Sequence, residues 1–196
     1  MVNRARAKIL LQLARAAIAD HLGLSWPGVA AEDADWLHEK AATFVTLSKD
    51  GQLRGCIGSL EARRSLVEDV TENAKAAAFS DPRFSPLTPD EFEDIEIEVS
   101  LLSPSQTMTF SSEEDALAQL QPGIDGVVFE YGPYRSTFLP QVWEQLPQAS
   151  DFMAHLKMKA GLPADFWHDD VSLKRYHVSK WRERDFDWQE IKEETA

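Results

Sequence analysis

The sequence predicts an α+β fold in which helices flank a largely antiparallel sheet. Three observations carry this: a glycine-marked hairpin near residue 51, a second near residue 132, and a strict two-residue alternation at residues 95–101. Helical stretches fall between these strands without the strand–helix–strand repeat of a parallel sheet.

Ile9, Leu10, Leu13, Ala17 and Ile18 recur at helical spacing, so residues 2–22 form a core-packed first helix. The early basic residues of this segment resemble a transit peptide, but it contains no serine, and Gln12 and Arg15 interrupt any signal-peptide core. A loop with Gly23, Pro27 and Gly28 and a polar stretch at residues 32–39 lead to the first hairpin. Its arms are residues 44–47 and 53–60, and Gly51 marks its turn. Residues 65–79 form an alanine-rich helix stopped by Asp81-Pro82. Residues 95–101 form a strand with one apolar and one acidic face, on which Glu96 and Glu98 project together. Ser111 or Ser112 caps a short helix that ends before Pro122-Gly123. The second hairpin joins residues 126–131 to 134–139 through Gly132-Pro133. Pro140 opens a helix carrying Val142 and Trp143, residues 151–161 form another, residues 173–178 form a last strand, and the acidic tail from Glu190 frays.

With 196 residues the chain supports one substantial core or two closely associated lobes. The formal charge is −13, from 20 Lys+Arg against 33 Asp+Glu, which argues against nucleic acid as a partner. A single cysteine excludes an internal disulfide and no apolar run spans a bilayer, so a cytoplasmic protein with no membrane partner is expected.

The richest chemistry lies in Leu53-Arg54-Gly55-Cys56-Ile57-Gly58-Ser59-Leu60. Regular alternation puts Arg54, Cys56 and Gly58 on one strand face, bringing a guanidinium beside the sulfur and favouring the nucleophilic thiolate. Gly55 and Gly58 mark a bulge or a close approach by a backbone or ligand. Equally open is a buried cysteine that only fills space. Glu96 and Glu98 divide in the same way, between a solvated sheet face and an acid or base in a cleft. The five histidines, His21, His38, His155, His168 and His177, show no paired metal-ligand spacing, and His168-Asp169-Asp170 is the only compact polar cluster; no metal is expected. Neither a phosphate-binding glycine loop nor a Gly-x-Ser-x-Gly elbow is present, so no cofactor is expected. His155, His168 and His177 remain distal candidates for a base serving the thiol. Arg83 is a second cation able to return to the strand, or a surface arginine.

LRGCIGSL, DPRF at 81–84, IEVSLL at 97–102, TFLPQVW at 137–143 and KAGLP at 159–163 occur in order. Together they resemble the AMMECR family, called AmmeMemoRadiSam system protein A in prokaryotes, over residues 44–178. The resemblance implies a single AMMECR-type domain of two lobes across residues 1–196, with the Cys56 motif near the cleft. It implies, through association in gene neighbourhoods, Memo-like and radical S-adenosylmethionine proteins as partners, and nominates Arg54, Gly55, Cys56, Gly58, Asp81, Arg83 and Glu98 for the site. Two functions follow. In a thiol-dependent enzyme acting on a small molecule or peptide, Cys56 is the nucleophile, Arg54 stabilises the thiolate and oxyanion, and Glu98 or a distal histidine carries the proton. Gly55, Gly58, Asp81 and Arg83 then hold the substrate. In a non-catalytic binding or scaffold protein, the same strand docks a partner.

Overall fold

The computed structural model describes residues 4–29, 34–187 and 191, and the chain divides into two compact units. The first contains residues up to Leu102 and those from Ser179 onward; the second contains Ser103–Val178. Both are mixtures of helix and antiparallel sheet, so the α+β expectation holds, with two sheets where one was expected.

In the first unit, α1 (Arg4–Leu22) and α2 (Leu66–Phe79) pack on a sheet formed by β1 (Lys40–Lys49), β2 (Gln52–Gly58), the short β3 (Arg64–Ser65) and β4 (Ile95–Leu102). The strand order runs β2-β1-β4 and ends at the C-terminal strand Val178–Arg182, while β3 pairs with β1. Lys49 pairs with Gln52 across Asp50-Gly51, and both turn residues have positive φ, 52° and 74°. That is the type I′ geometry, whose twist matches the strands it joins. Val45, Leu47, Ile97 and Val99 alternate onto the helix side, where they form a core with Leu10, Ile18, Val70 and Ala74. Ser65 caps α2 by accepting from the Glu68 N–H, and the Glu68 carboxylate accepts from the Ser65 N–H, a reciprocal capping box.

Although α1 carries the expected apolar stripe, it is buried more widely, and Gln12 and Arg15 are inside too. Arg15 is fully buried because its guanidinium meets Glu183 at 2.8 Å through Nε and donates to the Ile95 carbonyl at 2.8 Å, while Glu183 accepts from the Ile97 N–H. A buried charge persists only when paired and hydrogen-bonded, and here one ion pair ties α1 to the chain just beyond the last strand.

In the second unit, β5 (Gln106–Thr107), β6 (Gly126–Tyr131), β7 (Tyr134–Phe138) and β8 (Ser172–Tyr176) form a sheet in the order β5-β8-β6-β7. It packs with α3 (Glu113–Gln119) and α4 (Ala149–Lys159) around Phe129, Trp143, Phe152 and Leu156. Ser112, rather than Ser111, accepts from the Asp115 N–H to cap α3. Gly161, at φ +90°, ends α4 in a Schellman arrangement: Leu162 N bonds Lys157 O and Gly161 N bonds Met158 O. The helix expected after Pro140 is a 3-10 turn, Pro140–Glu144, fixed by Trp143, which stacks on Phe152 at 3.8 Å and donates to the Asp125 carbonyl.

The expected last strand over 173–178 is divided at His177. Its first part is β8, and β9 (Val178–Arg182) joins the other sheet. Continuous β propensity through this stretch conceals the change of sheet. The acidic tail from Glu190 lies outside the described residues apart from the buried Ile191. Among the described residues, no helix is long and apolar enough to cross a membrane.

Candidate functional site: the Cys56 edge strand

Cys56 lies on β2, an edge strand of the first unit, opposite Thr46 on β1, and Thr46 is in turn opposite Glu98 on β4. The three side chains therefore form a row across the sheet, on the face away from the α1–α2 core. Thr46 Oγ1 donates to Cys56 Sγ at 3.3 Å, and the cysteine is partly exposed.

Arg54 departs from the expected alternation. Leu47 pairs with Gly55 and Ser48 with Leu53, which leaves Arg54 as the extra residue of a β-bulge. Its guanidinium is taken up by Glu91 rather than the sulfur, with Nε–Oε1 and Nη2–Oε2 both at 3.0 Å. The Arg54 hydrogen bond, opposed by desolvation and helped by the Thr88 N–H and nearby positive charge, pulls the Glu91 carboxyl down to about 2.

The cation at Cys56 is Arg83. Just after α2, Asp81 turns its buried carboxylate onto β2, where Oδ2 accepts from the Cys56 N–H at 2.9 Å. Arg83 donates to Asp81 through Nε at 2.9 Å and Nη2 at 2.7 Å, and Nη2 also reaches the Cys56 carbonyl at 3.3 Å. The Asp81-Pro82-Arg83 turn thus satisfies both backbone groups that Cys56 presents to the open edge. The Arg83 hydrogen bond leads the causes that hold Asp81 far below the usual carboxylate range, although burial works the other way. Arg83 itself is raised, first by its hydrogen bond to Asp81 and, after the opposing desolvation, by the charges of Asp81 and Cys56.

Gly55 and Gly58 have packing reasons. A Cβ on Gly55 would stand 2.1 Å from the Ala77 carbonyl oxygen of α2, and one on Gly58 would stand 2.2 Å from the Phe44 ring and 2.6 Å from the Thr43 carbonyl. The first lets the helix approach the strand; the second lets an aromatic side chain cross it.

Glu98 and Glu96 share a face, as alternation requires, and β9 together with the turn just after it answers them. Arg182 Nε meets Glu98 Oε2 at 2.5 Å, and Arg184 Nε meets Glu96 Oε1 at 2.7 Å. Lys180, Arg182 and Arg184 alternate along this last segment in register with the acids, so both carboxylates are ion-paired. The Glu98 hydrogen bond is the first cause of the raised Arg182 value.

Several polar groups gave no sequence signal. Asp69 in the first turn of α2 is buried and accepts from Thr43 N and Oγ1, Ser59 Oγ, Asn73 Nδ2 and Arg64 Nη2, at 2.7–2.9 Å. It reads in sequence as an acid favoured at a helix start; only tertiary packing makes it the hub joining α2 to the hairpin. In the second unit Lys159 Nζ donates to the Thr137 carbonyl at 2.9 Å and lies over the Phe138 ring, joining the TFLP and KAGL motifs. Of the distal histidines, His155 meets the Asp151 carbonyl and His168 the exposed Asp170, whereas the His177 ring lies 3.1 Å from the fully buried Asp125 carboxylate. No three His, Cys, Asp or Glu side chains gather as a metal-ligand group among the described residues.

Comparisons with known proteins fit this architecture. The chain is 38% identical over 189 residues to a protein of Methanothermobacter thermautotrophicus, covering 93% of this chain and 96% of that one. It is also 38% identical over 154 residues to protein MJ0810 of Methanocaldococcus jannaschii, covering 74% and 75%. The crystal structure of uncharacterized protein PH0010 from Pyrococcus horikoshii superposes with a TM-score of 0.75 at 31% identity, covering 92% of this chain and 93% of that one. The AMMECR1 family model matches residues 11–181, and the chain belongs to the AMMECR1 family.

Proposed function

We propose that this AMMECR1-family chain is a cytosolic thiol-dependent enzyme that acts on a small molecule or peptide with Cys56 as its nucleophile. One observation carries the reading: the backbone of Cys56 is fixed at both polar groups by Asp81 and Arg83, while its side chain stays partly exposed with a hydroxyl donor at the sulfur. A nucleophile gains from being held still near a cation, since positive charge favours the thiolate. Arg83 takes the stabilising role first read for Arg54, and Thr46 supports the sulfur. Glu98 lies in the same row, but serving as proton carrier requires release from Arg182.

Alkylation of the folded protein with iodoacetamide, followed by peptide mass spectrometry, tests this. Cys56 is expected to react in the native state, Arg83→Gln to slow the reaction several-fold and Arg54→Gln to leave it nearly unchanged. Cys56→Ser is expected to keep the fold. A thiol that stays unreactive until denaturation, in a protein that Cys56→Ser destabilises, refutes the nucleophile reading.

A second reading rests on the same strand. Gly55 and Gly58 on this strand, and Glu98 on β4, all have structural partners, as expected of a scaffold that docks a Memo-like or radical S-adenosylmethionine protein. Titration with a Memo-like protein separates the two: saturable binding unaffected by Cys56→Ser, with no thiol reactivity, supports the scaffold.

A further inference from the structure

Between α1, α2 and the segment Leu24–Val29 lies a cavity of about 420 Å³ that shares no residue with the Cys56 site. Its cause is legible in α1, where Ala16 and Ala17 line the cavity next to Leu13 and their methyl groups leave space that a larger side chain would fill. Leu24, Trp26 and Val29 supply further apolar wall. The volume is within the range of small-molecule sites.

The charges at the rim select the ligand. Thr71 spends its hydroxyl on the Val67 carbonyl, and the Lys75 ammonium is matched by Glu72 at 2.5 Å. Asp20 is different: it lines the cavity from the exposed last turn of α1, and its carboxylate has no hydrogen bond or ion pair among the described residues. The negative end of the helix dipole lies at the same place and adds to its potential. Glu72 does not itself line the cavity, so the lining charges are one carboxylate, Asp20, and one ammonium, Lys75, whose charge Glu72 offsets from outside, on a chain of net charge −13. Anions are disfavoured there and cations attracted. Trp26 contributes an aromatic wall, its ring packed edge-on with Phe92 at 5.4 Å and lying 5.9 Å from the Arg15 guanidinium.

We infer that this cavity binds a small organic cation, a protonated amine bearing an aromatic or branched aliphatic body, with Asp20 as counter-ion and the Leu13–Leu24–Trp26–Val29 surface around the body. The site is independent of the thiol chemistry.

Three near-isosteric probes test it by ligand-observed NMR and calorimetry on the full chain: 2-phenylethylammonium, neutral 2-phenylethanol and anionic 3-phenylpropionate. The cation should bind saturably at one site, about threefold or more tighter than either of the others, the scale expected of an exposed charge pair. Asp20→Asn, at an exposed position, should equalise the cation and the neutral probe without shifting the melting temperature. Ala17→Leu, narrowing the cavity with a good helix former, should weaken binding of all three. Cys56→Ser should leave all affinities unchanged. Absence of saturable cation binding, equal affinity for the three probes, or a cation preference that survives Asp20→Asn overturns the inference. Should Ala17→Leu unfold the protein, the charge comparison alone decides.

Discussion

The two edge strands β2 and β7 meet the same problem with different materials. Each presents a backbone carbonyl to its open side, and each has it capped by a cation: Arg83 on Cys56 O at 3.3 Å and Lys159 on Thr137 O at 2.9 Å. Beside β7 runs the regular helix α4, whose Phe152 and Leu156 belong to an apolar core, and Ser136 adds a hydrogen bond to the Leu156 carbonyl. The loop after α2 instead stitches β2 through charges, Asp81 with Arg83 at Cys56 and Glu91 at Arg54. Apolar burial is insensitive to protonation, whereas ion pairs respond to pH and charge. The strand that carries the thiol therefore sits in the electrostatically adjustable edge, and the other edge is sealed by packing.

The largest expected effect sharpens this contrast at the helix contact of β2. Gly55→Ala forces a methyl against the Ala77 backbone carbonyl, which cannot rotate away, and should cost about 3 kcal/mol or more in urea unfolding. In the second unit Gly126→Ala meets the Tyr176 side chain instead and should cost less. Equal losses would mean that α2 yields as readily as a ring.

Next in size is Asp81→Asn, which leaves Arg83 without its buried counter-ion and weakens the acceptor for the Cys56 N–H. A loss of about 2–3 kcal/mol is expected. Amide exchange should accelerate along β2 while β7 stays protected; matched acceleration of both edges would break the comparison.

Acid supplies the third test. Asp81 and Glu91 have folded-state values below their unfolded ones, so each stabilises the protein above the unfolded value, and that contribution disappears as pH falls through the folded value. For Glu91 the window runs from about 4.3 in the unfolded chain down to about 2. Between those limits β2 should lose exchange protection before β7, and Glu91→Gln should flatten the pH dependence. The smallest effect is expected at Lys159→Met, about 0.5–1 kcal/mol, because the apolar packing of β7 remains.

Much of the fold was legible because its signals are local. The Asp50-Gly51 turn, the Ser65 cap with Glu68, the alternation of β4 and the glycine ending α4 each depend on a few neighbouring residues whose conformational preferences act without the rest of the chain. The site was legible as a set of residues but not as a set of contacts. Alternation placed Arg54 beside Cys56, yet one bulge residue redirected it to Glu91, 37 positions away. The acidic face of β4 was read correctly, whereas its basic partners were not, because β9 begins inside a stretch that reads as one continuous strand.

By itself, the sequence determined the class of fold, most element boundaries, the family and the thiol strand. Those follow from backbone preferences, hydrophobic periodicity and a five-motif order that nearby residues encode. Tertiary structure decided which charges meet: Arg83 rather than Arg54 at Cys56, Glu183 for Arg15, Asp69 beneath the hairpin, and the passage of the chain between sheets at His177. Pairing between distant side chains depends on register and on desolvation inside the assembled core, and neither quantity exists until the strands and helices have been brought together.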